Sequence, residues 1–372
     1  MRIAILTSSR ADYGIYLPLL KKLKEDDFFD LKIIVFGTHL SRFHGYTVNR
    51  IQQDGFNVFE KLETLILGDT ETAISNAIGN TITRFSALWE KIENSIDLVF
   101  ALGDRYEMFA AVAASVPFNI RIAHIHGGET TLGAIDNKFR HAITLMSSIH
   151  FAATDEYCQK IVSLIGTNNN VHYVGALSLD NITDLDLLSK EEFYKEFLID
   201  LNIPTILSTF HPETISVNEN KNHVNVLVET FGVLSSEYQI IITMPNVDTM
   251  GSMIRDAFLE LSNINNKIIC VENFGTLGYF SCIKHCLFLL GNTSSGIIEA
   301  ASFGKFVLNL GDRQKGRARS QNVIDVAIIK NEILPQIRLI SDNGYYYSGG
   351  NIYYLGNSSQ KIVNILKMLN DS

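Results

Sequence analysis

Carboxylates, a guanidinium and imidazoles crowd two turns of the chain, Ala101-Leu-Gly-Asp-Arg-Tyr-Glu107 and His124-Ile-His-Gly-Gly-Glu129. Side chains of these types move protons to and from a substrate, while a neighbouring cation stabilises the charge that develops. Each turn closes an apolar strand, 97–102 and 120–126. In an open parallel sheet, ligands bind outside the carboxyl ends of strands, where the strand order reverses. Two polar turns that merely close buried strands are the alternative. Alternation puts His124 and His126 on one face of their strand, and with Asp104, Glu129 and Asp136 they offer a metal shell. The chain shows no barrel pattern of the kind on which metal-dependent hydrolases carry His-x-His. His124 is therefore expected to be buried and hydrogen-bonded, with His126 turned towards a substrate.

Further turns carry groups suited to an anion. Thr7-Ser-Ser-Arg-Ala-Asp-Tyr-Gly14 joins the first strand to a helix, offering backbone N–H groups and the Arg10 cation. It lacks Gly-x-Gly-x-x-Gly, so a dinucleotide cofactor is not indicated; a helix cap with a solvated arginine is the plainer view. Gly291-Asn-Thr-Ser-Ser-Gly-Ile-Ile-Glu299 places hydroxyls at a strand-to-helix junction, a phosphate cradle or a serine-rich N-cap. Glu299, in the first turns of that helix, is suited to ribose hydroxyls. Gly311-Asp-Arg-Gln-Lys-Gly-Arg-Ala-Arg319 adds cations that suit a diphosphate or, taken alone, a surface loop. His211-Pro-Glu-Thr214 closes another strand, with Pro212 stiffening the aim of His211.

The elements that must position these groups follow from periodicity. Short apolar runs alternate with amphipathic stretches, the pattern of an α/β protein with parallel sheets. Strands are expected at 2–8, 31–37, 97–102, 120–126, 149–153 and 171–174, then at 205–210, 238–243, 267–271, 286–290 and 306–310. A long insertion separates the second and third, with a helix over about 71–95. The expectation is two Rossmann-like parallel-sheet domains facing a cleft: 1–177, carrying the carboxylates, and 178–355, with a final helix in 356–372 packing back on the first. At 372 residues the chain suits two such domains. A net charge of −9 argues against nucleic acid or an anionic membrane as partner. The first strand is too short for a signal-peptide core and no run reaches membrane length, so a cytoplasmic protein is expected. Four cysteines without framework spacing fit reduced thiols.

Taken together, these stretches resemble the hydrolysing UDP-N-acetylglucosamine 2-epimerases, above all the bacterial branch of sialic acid biosynthesis. The matching stretches are Ser9-Arg-Ala-Asp-Tyr-Gly14, Gly103-Asp-Arg-Tyr-Glu107, His124-Ile-His-Gly-Gly-Glu129, Asp136, Arg140-His-Ala-Ile-Thr144, His211-Pro-Glu-Thr214, Gly291-Asn-Thr-Ser-Ser-Gly296 and Asp312-Arg-Gln-Lys-Gly-Arg317. They run through nearly the whole chain in order. The resemblance implies a GT-B-like fold, UDP held mainly by the second domain, no cofactor, no metal and a homo-oligomer, dimer or tetramer. It also implies the chemistry: UDP-N-acetylglucosamine loses its C2 proton and UDP, then water adds to release N-acetylmannosamine.

By the same resemblance Asp104, Glu129 and Asp136 are the acid/base carboxylates, with His126 beside them and His211 on the diphosphate. Arg10, Asp12, Arg105, Asn246, Thr293, Ser294, Ser295, Glu299 and Arg313 would hold UDP. Several relatives carry Glu where this chain has His126. Glu129 is expected to be the base, with His126 an orienting or proton-sharing neighbour. Relatives of the legionaminic acid pathway imply a rival substrate, UDP-2,4-diacetamido-2,4,6-trideoxyglucose. A glycosyltransferase, which needs an acceptor, and a non-catalytic nucleotide-sugar sensor are the more distant rivals.

Overall fold

In the computed structural model, residues 1–68, 70–213, 219–245 and 251–370 are described. The strands are β1 (Arg2–Thr7), β2 (Asp30–Phe36), β3 (Val58–Leu62), β4 (Leu98–Leu102), β5 (Ile122–Ile125), β6 (Ile149–Ala152) and β7 (Val171–Tyr173). They pair in the order β3-β2-β1-β4-β5-β6-β7, every pairing parallel. Alternation along the strands feeds two cores. Ile3, Ile5, Ile33, Val35 and Phe100 pack against Tyr16, Leu19, Leu20 and Leu23 of the helix Arg10–Glu25. Ala4, Leu6, Ile34, Phe36 and Val99 point the other way, onto Phe85, Leu88 and Trp89 of the helix Glu71–Ile92. Burial on both faces explains why β4 reads Leu-Val-Phe-Ala-Leu without a polar break.

A second sheet is built from β8 (Thr205–Thr209), β9 (Gln239–Thr243), β10 (Ile268–Val271), β11 (Phe288–Gly291), β12 (Val307–Leu310) and β13 (Val323–Val326). Its order is β10-β9-β8-β11-β12-β13, again parallel throughout. The expected fold class holds: two doubly wound, Rossmann-like parallel-sheet units of the GT-B-like class. Strand order reverses between β1 and β4 in the first sheet and between β8 and β11 in the second. The polar turns singled out in the sequence begin at the carboxyl ends of those four strands and of β5 and β12.

Three departures from the sequence reading stand out. β3 and β13 are additional edge strands, and both mix charged with apolar residues, Val-Phe-Glu-Lys-Leu and Val-Ile-Asp-Val. Half-exposed edges lack the continuous apolar run that marks a buried parallel strand. The strand expected to reach residue 126 stops at Ile125, because His126 turns into a left-handed conformation with φ of 65°.

The third concerns which segments belong together. The first unit comprises Met1–Glu129, Asp136–Asp184 and Tyr353–Ser372; the second comprises Thr130–Ile135 and Leu185–Ile352. Residues 178–184 therefore count with the first unit, for a polar reason. Buried Asp180 accepts hydrogen bonds from Ser358 N at 2.9 Å and Ser359 N at 2.7 Å, capping the final helix Ser358–Asn370. Ile362, Val363 and Leu366 of that helix then enter the first unit's core. Among the described residues no helix is long and apolar enough to cross a membrane.

Candidate active site

In the first unit the chemistry gathers where β4 and β5 end. Asp104 follows Gly103 after β4, and its carboxylate is hydrogen-bonded and ion-paired with the Arg140 guanidinium. Arg140 is 2% exposed, on the helix Asp136–Leu145 that Asp136 opens. Its Nη1 also donates to the Glu129 main-chain carbonyl at 2.9 Å, so one buried cation fixes both carboxylate-bearing turns. In the sequence Arg140 is part of a matching stretch, but nothing local gives it a role. A charge that shares a helical stripe with buried Ile143 and Thr144 is the signal that points to it.

The two histidines sit in different settings. His124 is fully buried; its Nε2 donates to the Gly103 carbonyl at 2.8 Å, leaving Nδ1 to accept from the Thr144 hydroxyl at 3.1 Å. Burial pushes its pKa down to about 3, so it is a neutral strut beneath the Asp104 turn. With both ring nitrogens occupied, it offers no lone pair to a metal. His126 is not on the same strand face, contrary to the alternation argument. Its left-handed backbone re-aims the ring so that Nδ1 meets Glu129 Oε1 at 2.5 Å. Gly128, at φ of 77°, makes this turn feasible: a Cβ there would come within 2.5 Å of the Tyr157 carbonyl.

At the end of β1, Asp12 belongs to the turn itself. Its carboxylate accepts from Thr7 Oγ1 at 2.6 Å, Ser8 N at 2.8 Å and Ser9 N at 3.1 Å, completing a capping box with Ser9. Burial works to raise its pKa, but His39 and these donors outweigh that and hold the carboxyl below its usual range. Arg10 is exposed at the start of the helix. Arg105 reaches Glu107 with two bonds, at 3.0 and 3.2 Å.

The second unit shows a different construction. Asn292, after β11, is wholly buried; its Oδ1 accepts from His211 N at 2.7 Å and its Nδ2 donates to His211 O at 2.8 Å. Gln314 donates to Asn292 O at 2.8 Å, Glu213 accepts from Asp312 N at 2.7 Å, and Arg313 donates to Pro212 O at 2.6 Å. The turns after β8, β11 and β12 are thereby sewn into one surface. Neither Asn292 nor Gln314 figures among the sequence candidates, since nothing local marks an amide as a cross-link.

Thr293 caps the single helical turn Ser294–Ile298, and buried Glu299 ends it. Gln314 Oε1 is buried with no hydrogen-bond partner among the described residues. Such an atom ordinarily finds a donor. Of the expected cation cluster, Lys315 pairs with Asp312 at 3.3 Å and Arg319 with Asp325, whereas Arg317 is buried. Asn246 lies outside the described residues, as does Thr214.

One segment of this unit comes from the other half of the sequence. Leu132 N donates to Lys315 O at 2.9 Å, and a Cβ on Gly133 would lie 2.4 Å from Asp312 O. The chain between Glu129 and Asp136 therefore rests on the turn that carries Arg313.

Two doubly wound units with acid/base groups at one switch point and a polar, cationic cradle at the other define an α/β enzyme. Comparison with known proteins narrows this. The profile of the UDP-N-acetylglucosamine 2-epimerase family matches residues 21–367, and the chain belongs to that family. It is 33% identical over 369 residues to the UDP-N,N'-diacetylbacillosamine 2-epimerase (hydrolyzing) of Legionella pneumophila, covering 99% of this chain and 96% of the relative. It is also 33% identical over 374 residues to the polysialic acid biosynthesis protein P7 of Escherichia coli, covering 98% and 93%. The UDP-GlcNAc 2-epimerase of Neisseria meningitidis, solved bound to UDP-GlcNAc, shares the fold with a TM-score of 0.82 at 19% identity, over 99% of this chain and 100% of that one.

Proposed function

We propose that the chain is a hydrolysing UDP-sugar 2-epimerase that converts UDP-N-acetylglucosamine and water to N-acetylmannosamine and UDP, serving sialic acid biosynthesis. The observation that carries the reading is the first unit's proton-transfer set: Asp104 held by Arg140, and Glu129 bonded to His126. Elimination of UDP across C1–C2 needs a group that removes the C2 proton and donors that steady the departing phosphate. In this reading Asp104, Asp136 and the His126–Glu129 pair handle protons. Arg10, Arg105, Thr293, Ser294, Ser295, Glu299 and Arg313, with His211 and Asn246, hold the nucleotide. Asp12 contributes by shaping its turn. Water addition to the glycal-like intermediate, with the opposite configuration at C2, completes the cycle.

The name of the Legionella relative favours a second substrate, UDP-2,4-diacetamido-2,4,6-trideoxyglucose. The two sugars differ at C4 and C6, and a pocket built to pair hydroxyls discriminates strongly against an analogue lacking them. Incubation with each UDP-sugar and identification of the released sugar by NMR decides between them. Release of neither monosaccharide refutes the proposal. The same reading places the enzyme in the cytoplasm, in keeping with four unpaired cysteines. It includes assembly as a dimer or tetramer, which sedimentation tests.

A further inference from the structure

We infer that the atom of the first unit that takes the substrate's proton is His126 Nε2, and that Glu129 is its positioning residue. The inference rests on the elimination proposed above and names the atom that performs its first step. Glu129 is 1% exposed and His126 6% exposed, so their 2.5 Å bond is shielded from water. An ionised carboxylate only accepts hydrogen bonds, so the proton of the neutral ring resides on Nδ1 and the lone pair on Nε2. Nε2 is itself buried and has no hydrogen-bond partner among the described residues. Folding that nitrogen away unpaired works against stability, as does the left-handed backbone at a residue other than glycine. Both features belong to a ring aimed for use.

The alternative base is disfavoured by the same bond. A carboxylate oxygen that already accepts an N–H is stabilised in its charged form and is a weaker proton acceptor. Arg140 fixes the Glu129 main chain, which suits a residue that orients another. In the step itself, Nε2 takes the C2 proton. The C2–H electron pair becomes the C1=C2 π bond, and the C1–O bond breaks with its electrons leaving on UDP. The imidazolium that forms is countered by Glu129.

Glycine adopts the left-handed region freely, so His126→Gly removes the ring without straining the turn. We expect kcat to fall by about 10²- to 10⁴-fold while UDP binding, read by calorimetry, persists. Added imidazole should restore about tenfold or more of that loss, and substituted imidazoles should follow their basicity. His126→Asn, which also tolerates this backbone, should lose as much and gain nothing from imidazole, because its side chain fills the space. Glu129→Gln frees the ring to take the other tautomer and should lower kcat by about a hundredfold, with Glu129→Asp recovering part. Near-parental turnover in His126→Gly, or a loss that no imidazole repairs, overturns the inference. If the parent turns over a UDP-sugar and His126→Gly does too, only this assignment falls. If the parent releases no UDP from either sugar, the elimination itself falls with it.

Discussion

The carboxyl ends of the two sheets occupy equivalent places in equivalent strand orders, yet they are held in opposite ways. In the first unit a buried guanidinium, Arg140, joins the Asp104 carboxylate to the Glu129 carbonyl, and a second carboxylate is bonded to an imidazole. In the second unit the cross-links that join β8, β11 and β12 are largely amides and main-chain groups, with Asn292 at the centre. Buried charge has to be paired where it stands, so altering one partner strands the other. Neutral amides fix a surface without competing for an anion. The first construction suits groups whose protonation matters, the second a platform for a charged ligand.

The largest test of that contrast is Asp104→Asn. It should lower turnover by about a hundredfold or more, and it should also lower the urea midpoint, because Arg140 loses its counter-charge. A normal midpoint with lost activity would separate catalysis from the ion pair. Arg313→Ala should act otherwise. Removing one charged donor to a diphosphate weakens UDP binding by about tenfold to a hundredfold with the fold intact, as calorimetry and melting curves would report. An unchanged dissociation constant removes Arg313 from the nucleotide site.

Gly133→Ala probes the segment that joins Glu129 to Asp136. Its Cβ would lie 2.4 Å from Asp312 O and 2.6 Å from Arg313 Cα, both rigid backbone, so the turn must shift. We expect a several-fold rise in KM, of the size of a displaced hydrogen bond of about 1 kcal/mol, with kcat less affected. An unaltered KM would mean that the turn yields without consequence.

The smallest effect is one of pH on stability. Burial pushes His124 down to about 3 and His150 to about 4. The unfolded chain binds these protons near pH 6.5 and the folded chain does not. Their contribution to stability is therefore complete above about pH 6.5 and is lost as the pH falls towards 4. Urea midpoints at pH 7, 6 and 5 should decline in that order, and His150→Asn should flatten the decline.

The repeated strand-and-helix rhythm, the polar turns and the resemblance they carry are legible in the chain because each depends on residues close in sequence. Six strands of the first sheet and five of the second follow from apolar runs. The two edge strands do not, since their charged positions break the run. Asp104, Glu129, His126 and Arg313 announce themselves by type and position after a strand.

What those groups do to one another is not local. Arg140 meets Asp104 across 36 positions, and Asn292 meets His211 across 81. Periodicity places His126 beside His124. The turn around Gly127 and Gly128 instead rotates it onto Glu129. Order along the chain was set by side-chain patterning. Partnership was set by packing, because a hydrogen bond between distant residues exists only once sheets and helices have brought their atoms within reach.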